Sequence, residues 1–293
     1  MQQLPRLLPR LHLAGASRLF SASPAPPALP LFNRVVIVTG GSAGIGSAIV
    51  DACLAAGARV LSADVAPPRR VVHPALATVT ADVATAQGHA AILAACQAAH
   101  GASACGLVNN AGVDLCKPFL DTTAADFDRV LSVDLRGVFF LTQGVVRAAA
   151  ATLPARPLSV VNSSSVHSVA GGAGAGPYDA AKAGVVGMTR ALAVELAAKG
   201  VRVNCVSPGL VRTQIWEDLM AAAGDRGACE AYWRANVPQA RLVEPAEVAD
   251  AVVFLLSARA SAVTGTNLVV DGGMTAQLVS TAPFSSSAVG GAQ

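Results

Sequence analysis

From Arg34 to Gly46 the chain passes from an unbroken β-branched run, Arg34-Val-Val-Ile-Val-Thr39, directly into a turn with glycines at 40, 41, 44 and 46. A strand that is apolar at every position must be covered on both faces, as the central strands of a parallel sheet are. Gly40, Gly44 and Gly46, with Ser42 and Ile45 between them, permit a tight turn and let the backbone approach a pyrophosphate closely. A helical run from Ser47 to Ala56 follows and ends at Gly57. The start of that helix offers unbonded N–H groups and a positive dipole end to an anion. A strand, a glycine turn and a helix opening a βαβ unit point to a dinucleotide.

The rest of the chain repeats the alternation. Further short apolar runs lie at Arg59–Ala63, Ala77–Thr80, Gly106–Val108, Leu158–Asn162, Arg202–Val206 and Asn267–Val270, with helical stretches between them. The pattern predicts one α/β domain, a doubly wound seven-stranded parallel sheet with helices on both faces. The second strand ends at Asp64, 18 residues past Gly46, where a carboxylate accepts hydrogen bonds from adenosine ribose hydroxyls and repels a 2′-phosphate. Asp64 therefore argues for NAD over NADP. Arg69 and Arg70 lie nearby but follow Pro67-Pro68, and are expected to face solvent. After the third strand, Asp82 and Val83 are placed to meet the adenine, and Asp82 serves equally well as a turn or helix-capping residue.

Chemistry enters at Tyr178-Asp-Ala-Ala-Lys182. On a helix the phenol and the ammonium stand one turn apart on one face. A neighbouring cation favours phenolate, so the expected effect of Lys182 is to lower the tyrosine pKa toward a value useful for proton transfer. Only two tyrosines and three lysines occur in the chain.

Composition excludes several other readings. The net charge is only +3 and no basic cluster interleaves with aromatics, so nucleic acid is not an expected partner. No apolar stretch reaches the 18 or so residues of a membrane span, and Ala251–Ala258 suits a buried helix. Cys53, Cys96, Cys105, Cys116, Cys205 and Cys229 form no CxxC pair and no zinc spacing, and read mostly as reduced, buried thiols. Residues 1–33 carry Arg6, Arg10 and Arg18 among leucines and serines, with no acidic residue before Asp51. That composition is expected of an organelle transit peptide, mitochondrial more than plastid, with a cytoplasmic protein carrying a plain tail as the alternative. Residues 276–293 form a second low-complexity tail after the catalytic domain, 34–275.

Across that domain the chain resembles the short-chain dehydrogenases/reductases. The pieces occur in the family's order: Thr39–Gly46, Asn109-Asn110-Ala111-Gly112, Asn162-Ser163-Ser164-Ser165, Tyr178–Lys182, Ser207-Pro208-Gly209 with Val211 and Thr213, and Asp271-Gly272-Gly273. The resemblance implies a Rossmann-like fold, a homotetramer or homodimer, and a hydride transfer between a nicotinamide cofactor and a secondary alcohol or ketone. It implies Tyr178 as general acid/base, Lys182 as its partner and holder of the nicotinamide ribose, and Ser165, 13 residues before the tyrosine, as the residue that bonds the substrate oxygen. Ser163 and Ser164 are the weaker candidates, Ser164 facing the other side of the strand. Asn110, Ala111, Gly112, Pro208, Gly209, Val211 and Thr213 are implied cofactor contacts.

One position departs from the family: Ser132-Val-Asp134-Leu-Arg-Gly137 puts an aspartate where an asparagine commonly supports a water in a proton relay. Asp134 adds a negative charge near Lys182, which strengthens the lysine's charged state or shifts the pH optimum, and activity is expected to survive it. The substrate pocket is expected from Leu210 to about Gln239, with Val113, His167 and Val169, and with Trp216, Tyr232 and Trp233 as a cover or as packing against another subunit. No pattern names the substrate. The alternatives are a 3-oxoacyl-carrier reductase of organellar fatty-acid synthesis and a non-catalytic NAD-binding sensor or scaffold. Tyr178→Phe is expected to keep NAD affinity, measured by titration, and to lose turnover by roughly a hundred-fold or more; near-normal turnover overturns the assignment.

Overall fold

The computed structural model describes residues 29–67, 73–153 and 155–278. Its strands are β1 (Val35–Thr39), β2 (Arg59–Asp64), β3 (Leu76–Thr80), β4 (Gly106–Asn109), β5 (Leu158–Ser163), β6 (Val201–Pro208) and β7 (Asn267–Val270). All pair in parallel, in the order β3-β2-β1-β4-β5-β6-β7. This is the Rossmann-like, doubly wound sheet that the alternation predicts.

The β-branched β1 is buried at all five positions because it serves two cores. Successive side chains point to opposite faces. Val36 and Val38 pack with Ile49 of α1 (Gly44–Ala55) and with Val252 and Leu255 of α8 (Pro245–Leu256). Val35 and Ile37 pack on the other side with Ile92 of α2 (Ala86–His100), and with Leu141 and Val145 of α4 (Val138–Ala149). The long helix α5 (Gly176–Leu196) covers the same face through Ala193 and Leu196. The expected buried helix around Ala251–Ala258 is α8, and among the described residues no helix is long and apolar enough to cross a membrane.

A buried polar ladder ties α4, β4, β5 and α5. Asn109 Nδ2 donates to Asn162 Oδ1 at 2.8 Å and to Thr142 Oγ1 at 3.0 Å, and Asn162 Nδ2 donates to Thr189 Oγ1 at 3.0 Å. In an apolar interior each amide must find such partners, so the ladder fixes both register and helix placement. Between α3 (Ala124–Leu131) and α4 the coil widens into a π-helical turn, Ser132–Gly137, which carries Asp134. No sequence signal announced it.

The folded unit begins upstream of Arg34. Leu31 is fully buried in the core with α1, and its N–H donates to the Ala56 carbonyl at 2.9 Å. The leader reading for residues 1–28, the tail reading for 279–293 and the reading of Arg69 and Arg70 fall outside the described residues. Four cysteines, Cys53, Cys96, Cys105 and Cys205, are buried; Cys229 is partly buried, Cys116 is exposed, and all six are free thiols. Burial pushes Cys53 up to about 12, and Cys96 and Cys205 up to about 11, so these three stay protonated. Leu31→Ala is expected to lower the unfolding free energy by about 2–4 kcal/mol in urea denaturation. Phe32→Ala, at an exposed neighbour, is expected to change it by less than about 0.5 kcal/mol.

Candidate active site

The strand order reverses between β1 and β4, and a cleft of about 420 Å³ opens there along the carboxyl ends of the strands. Gly40, Gly44, Ile45 and Gly46 form one wall. Gly40 and Gly44 have positive φ, 65° and 52°. A Cβ on Gly46 would lie 1.9 Å from the Gly40 carbonyl oxygen, so only glycine lets this turn close on itself. Helix α1 starts at Gly44, three residues earlier than its apolar pattern, with no capping side chain and no acid in its first turn. Its first N–H groups are therefore presented to an anion without an internal competitor.

Asp64 ends β2 at the rim of the cleft. Its Oδ2 accepts the Ser42 N–H at 2.9 Å and its Oδ1 the Ala66 N–H at 3.1 Å, which locks the carboxylate to the glycine turn. Ser42 itself is buried behind the turn, so its part is to join the turn to Asp64. Asp82 and Val83 line the far end, and Asp82 Oδ1 also accepts the Ala84 N–H at 2.8 Å, the turn role foreseen for it. Asn110 Nδ2 donates to the carbonyls of Thr39 and Gly40 at 3.1 and 3.2 Å, closing the reversal point. Ala111 and Gly112 form the floor. Pro208 and Thr213 reach the cleft, whereas Gly209 and Val211 lie behind them: the Gly209 N–H donates to Val270, and Val211 bridges to Val243. Ala43, Val65, Asp114, Gln214 and Ile215 also line the cleft, and only their place in the fold identifies them.

At the other end of the cleft α5 begins with Pro177 in its first turn, which sets Tyr178 at the helix entrance. The Lys182 Nζ sits 5.3 Å from the Tyr178 ring centre. It contacts Asp134 Oδ2 at 2.9 Å and donates to the Ser163 carbonyl at 3.3 Å. Asp134 is fully buried, and its Oδ1 accepts the Val113 N–H at 2.8 Å. Its Oδ2 meets the ammonium as a close ion pair, outside hydrogen-bond geometry. Gly112 leaves room for that pair, because a Cβ there would lie 2.9 Å from Asp134 Oδ2. Of the three serines, Ser163 and Ser164 line the cleft, while Ser165 is buried beside it, where its hydroxyl favours the ionised form of Tyr178. The Ser164 hydroxyl instead donates to the Lys182 carbonyl at 2.9 Å.

The electrostatic balance differs from the sequence expectation. Burial is the largest influence on Tyr178 and raises its pKa, Lys182 and the Ser165 hydroxyl lower it, and Asp134 and Asp114 raise it again, with the net direction upward. Burial also pushes Lys182 down, but Tyr178, Asp134 and Asp114 together hold it above its ordinary value. The lysine is a firm cation, while the phenol is a poorer acid than the spacing alone suggests.

A second pair braces the site. His167 Nδ1 lies 2.6 Å from Asp179 Oδ1, and the ring stands edge-on to Tyr178 at 5.4 Å. The His167 N–H donates to Ser165 Oγ at 3.2 Å, and Asp179 Oδ2 accepts the Gly172 N–H at 2.9 Å. His167 thus touches both hydroxyl-bearing residues, and the sequence offered for this only its place two residues past Ser165. Toward the substrate side, Trp216 packs inward with Met220 and Leu242, Trp233 leans on that cluster, and Tyr232 and Ile215 are exposed.

Comparison with known proteins agrees with this geometry. Residues 40–275 match the family described as enoyl-(acyl carrier protein) reductase. The chain is 36% identical to 2-(S)-hydroxypropyl-CoM dehydrogenase 3 of Xanthobacter autotrophicus over 84% of this chain and 98% of that protein. It superposes on a short-chain dehydrogenase/reductase (glucose/ribitol dehydrogenase) structure from Brucella melitensis with a TM-score of 0.74 at 31% identity, covering 84% of this chain and 98% of that one. A candidate 2-deoxy-D-gluconate 3-dehydrogenase from Agrobacterium tumefaciens with NADP bound gives a TM-score of 0.72 at 33% identity, with the same coverage. His167→Ala is expected to lower turnover about tenfold, through misplacement of the two hydroxyls, while leaving cofactor affinity unchanged. Steady-state kinetics beside a cofactor titration checks this, and unchanged turnover removes the bracing role.

Proposed function

The chain belongs to the short-chain dehydrogenase/reductase family, and we propose that it is an NAD-dependent dehydrogenase acting on a small secondary alcohol or the matching ketone. The observation that carries the proposal is one cleft with Asp64 at one end and Tyr178, Lys182 and Asp134 gathered at the other, with Ser165 buried beside Tyr178. A bound NAD supplies the hydride acceptor. Gly40, Gly44 and Gly46 with the start of α1 hold its pyrophosphate, Asp64 its adenosine ribose, and Thr213 its carboxamide side. Lys182 holds the nicotinamide ribose.

The protein's own chemistry is a proton transfer held in register. Ser165 bonds the substrate oxygen and fixes it beside the Tyr178 hydroxyl. In alcohol oxidation Tyr178 takes the hydroxyl proton as the carbon gives up hydride. In ketone reduction the same phenol returns a proton to the carbonyl oxygen. Lys182, at 5.3 Å from the ring, stabilises the phenolate form.

The preference for NAD rests on Asp64, whose carboxylate is anchored at both oxygens and meets an added 2′-phosphate with like charge. Self-association belongs to the same reading, supported by Phe139 and Phe140, which border an apolar groove with Met188 and Leu192. Import into an organelle, mitochondrial first, is proposed on Arg6, Arg10 and Arg18 and the acid-free stretch before Asp51.

A panel of secondary alcohols with each cofactor, followed at the absorbance of the reduced nicotinamide, tests the reading. NAD is expected to bind and turn over better than NADP by about tenfold or more, and Asp64→Ala to narrow that gap to within about threefold by removing the like charge. Equal or better use of NADP by the unmodified protein overturns the cofactor assignment, and no turnover of any alcohol or ketone overturns the enzymatic one.

A further inference from the structure

Lys182 does not face Tyr178 alone. Its ammonium is shared with a carboxylate that reaches it from a different element, the π-helical turn between α3 and α4. Asp134 is fully buried and the Lys182 side chain is 5% exposed, so neither bulk water nor salt screens the pair. The Val113 N–H anchors one carboxylate oxygen, and the other is left to the ammonium. An asparagine here would keep the Val113 bond through its amide oxygen and would carry no charge.

We propose, on the dehydrogenase reading above, that Asp134 is a positioning residue which clamps Lys182 and cancels part of its positive field at the Tyr178 hydroxyl, biasing the site toward the protonated phenol that serves ketone reduction. The other groups that face this hydroxyl are few. The Ser165 hydroxyl favours its ionised form from the turn after β5, the His167 ring stands edge-on to the Tyr178 ring, and Asp114 adds a negative charge from the loop after β4. Asp179 is occupied by His167 and Gly172. Arg136, on the same turn as Asp134, is held away by the Ala84 carbonyl and the Phe140 ring. Asp134 is thus the fully buried anion of the group, and its charge is the one that bears on the phenol through the ion pair.

The direction of the effect follows from like-charge repulsion. A phenolate forming beside Lys182 shares that cation with Asp134, so the proton leaves at higher pH than it would beside the ammonium alone. This agrees with the upward net direction for Tyr178, to which Asp134 contributes. Neutralising the carboxylate releases the cation's full field and lowers the pH at which the phenol ionises. Alcohol oxidation then gains its base at lower pH, and ketone reduction loses its acid at lower pH, by the same amount.

The chain has two tyrosines, so NMR of protein labelled with carbon-13 at the tyrosine hydroxyl carbon gives two resonances, assigned by the loss of one in Tyr232→Phe. Asp134→Asn is expected to lower the Tyr178 titration midpoint by about one pH unit or more relative to the unmodified protein. Asp114→Asn, at an exposed loop position, is expected to shift it less. In kinetics, the acid limb of kcat/KM for oxidation and the alkaline limb for reduction should both move down by the shift seen in the NMR titration. A lost hydrogen bond or a loosened turn would lower rates without moving both limbs together. Equal midpoints, a higher midpoint in Asp134→Asn, or a phenol that stays protonated to pH 11 in both proteins overturns the proposal. A lowered midpoint in a protein that oxidises no alcohol leaves the electrostatic role standing and removes the dehydrogenase reading instead.

Discussion

The whole site hangs on the way β1 and β4 are held together just where they diverge. Asn110 Nδ2 donates to the last carbonyl of β1 and the first of the glycine turn, while the Thr39 hydroxyl oxygen accepts the N–H groups of Asn110 and Ala111. These bonds stitch the loop after β4 to the glycine turn, whose Gly40 N–H also continues the ladder to β2 through the Ala63 carbonyl. They give the glycine turn its carbonyl orientation and the Asn110–Gly112 segment its path across the cleft floor. Leaving any of those buried groups unpaired would cost about 1–3 kcal/mol. From this stitch the cleft extends toward Asp64 on one side and toward Lys182 on the other, so cofactor recognition and proton chemistry share one mechanical origin.

What the sequence made legible followed from short-range rules. Apolar runs with helices between them predict the sheet, because parallel strands buried on two faces leave no polar alternation. Tyr178 and Lys182 fall on one face by helix geometry alone, whereas the preference for Ser165 over its two neighbours is what the family resemblance implies. The illegible part came from tertiary contacts. Nothing local to Asp134 says that the helix around it widens to bring it against Lys182. The His167–Asp179 pair joins residues twelve apart across a turn and the start of a helix. The sign of the balance at Tyr178 depends on burial depth, which spacing does not encode. Leu31 falls in the Arg-rich, acid-free stretch that reads as a leader, yet its side chain is fully buried in the cluster with α1.

Buried packing is unevenly distributed over this frame. The glycine turn, Asp64, Asp134 and Lys182 are set in the two large cores or bonded to backbone at the strand ends. The region after β6, with α6 (Gln214–Ala222) and α7 (Arg226–Ala235), has a small cluster of its own around Trp216, Met220 and Leu242. Ile215, from α6, is largely exposed at the cleft. The glycine turn and the Tyr178–Lys182 pair thus sit against the two large cores. The part of the cleft rim after β6 is carried by elements with a small cluster of their own, outside the two large cores.

The over-wide coil at Ser132–Gly137 has a consequence of its own. A helix that accommodates an additional residue in one turn displaces everything on one side of it by about 100° about the axis relative to regular winding. Excising a single residue between Leu131 and Val138 would let the coil tighten into ordinary geometry, and the carboxylate would then swing away from its lysine while the helix itself improved. The aim of that charge rests on a count of peptide units, like the number of teeth on a gear, together with the Val113 N–H that holds the carboxylate.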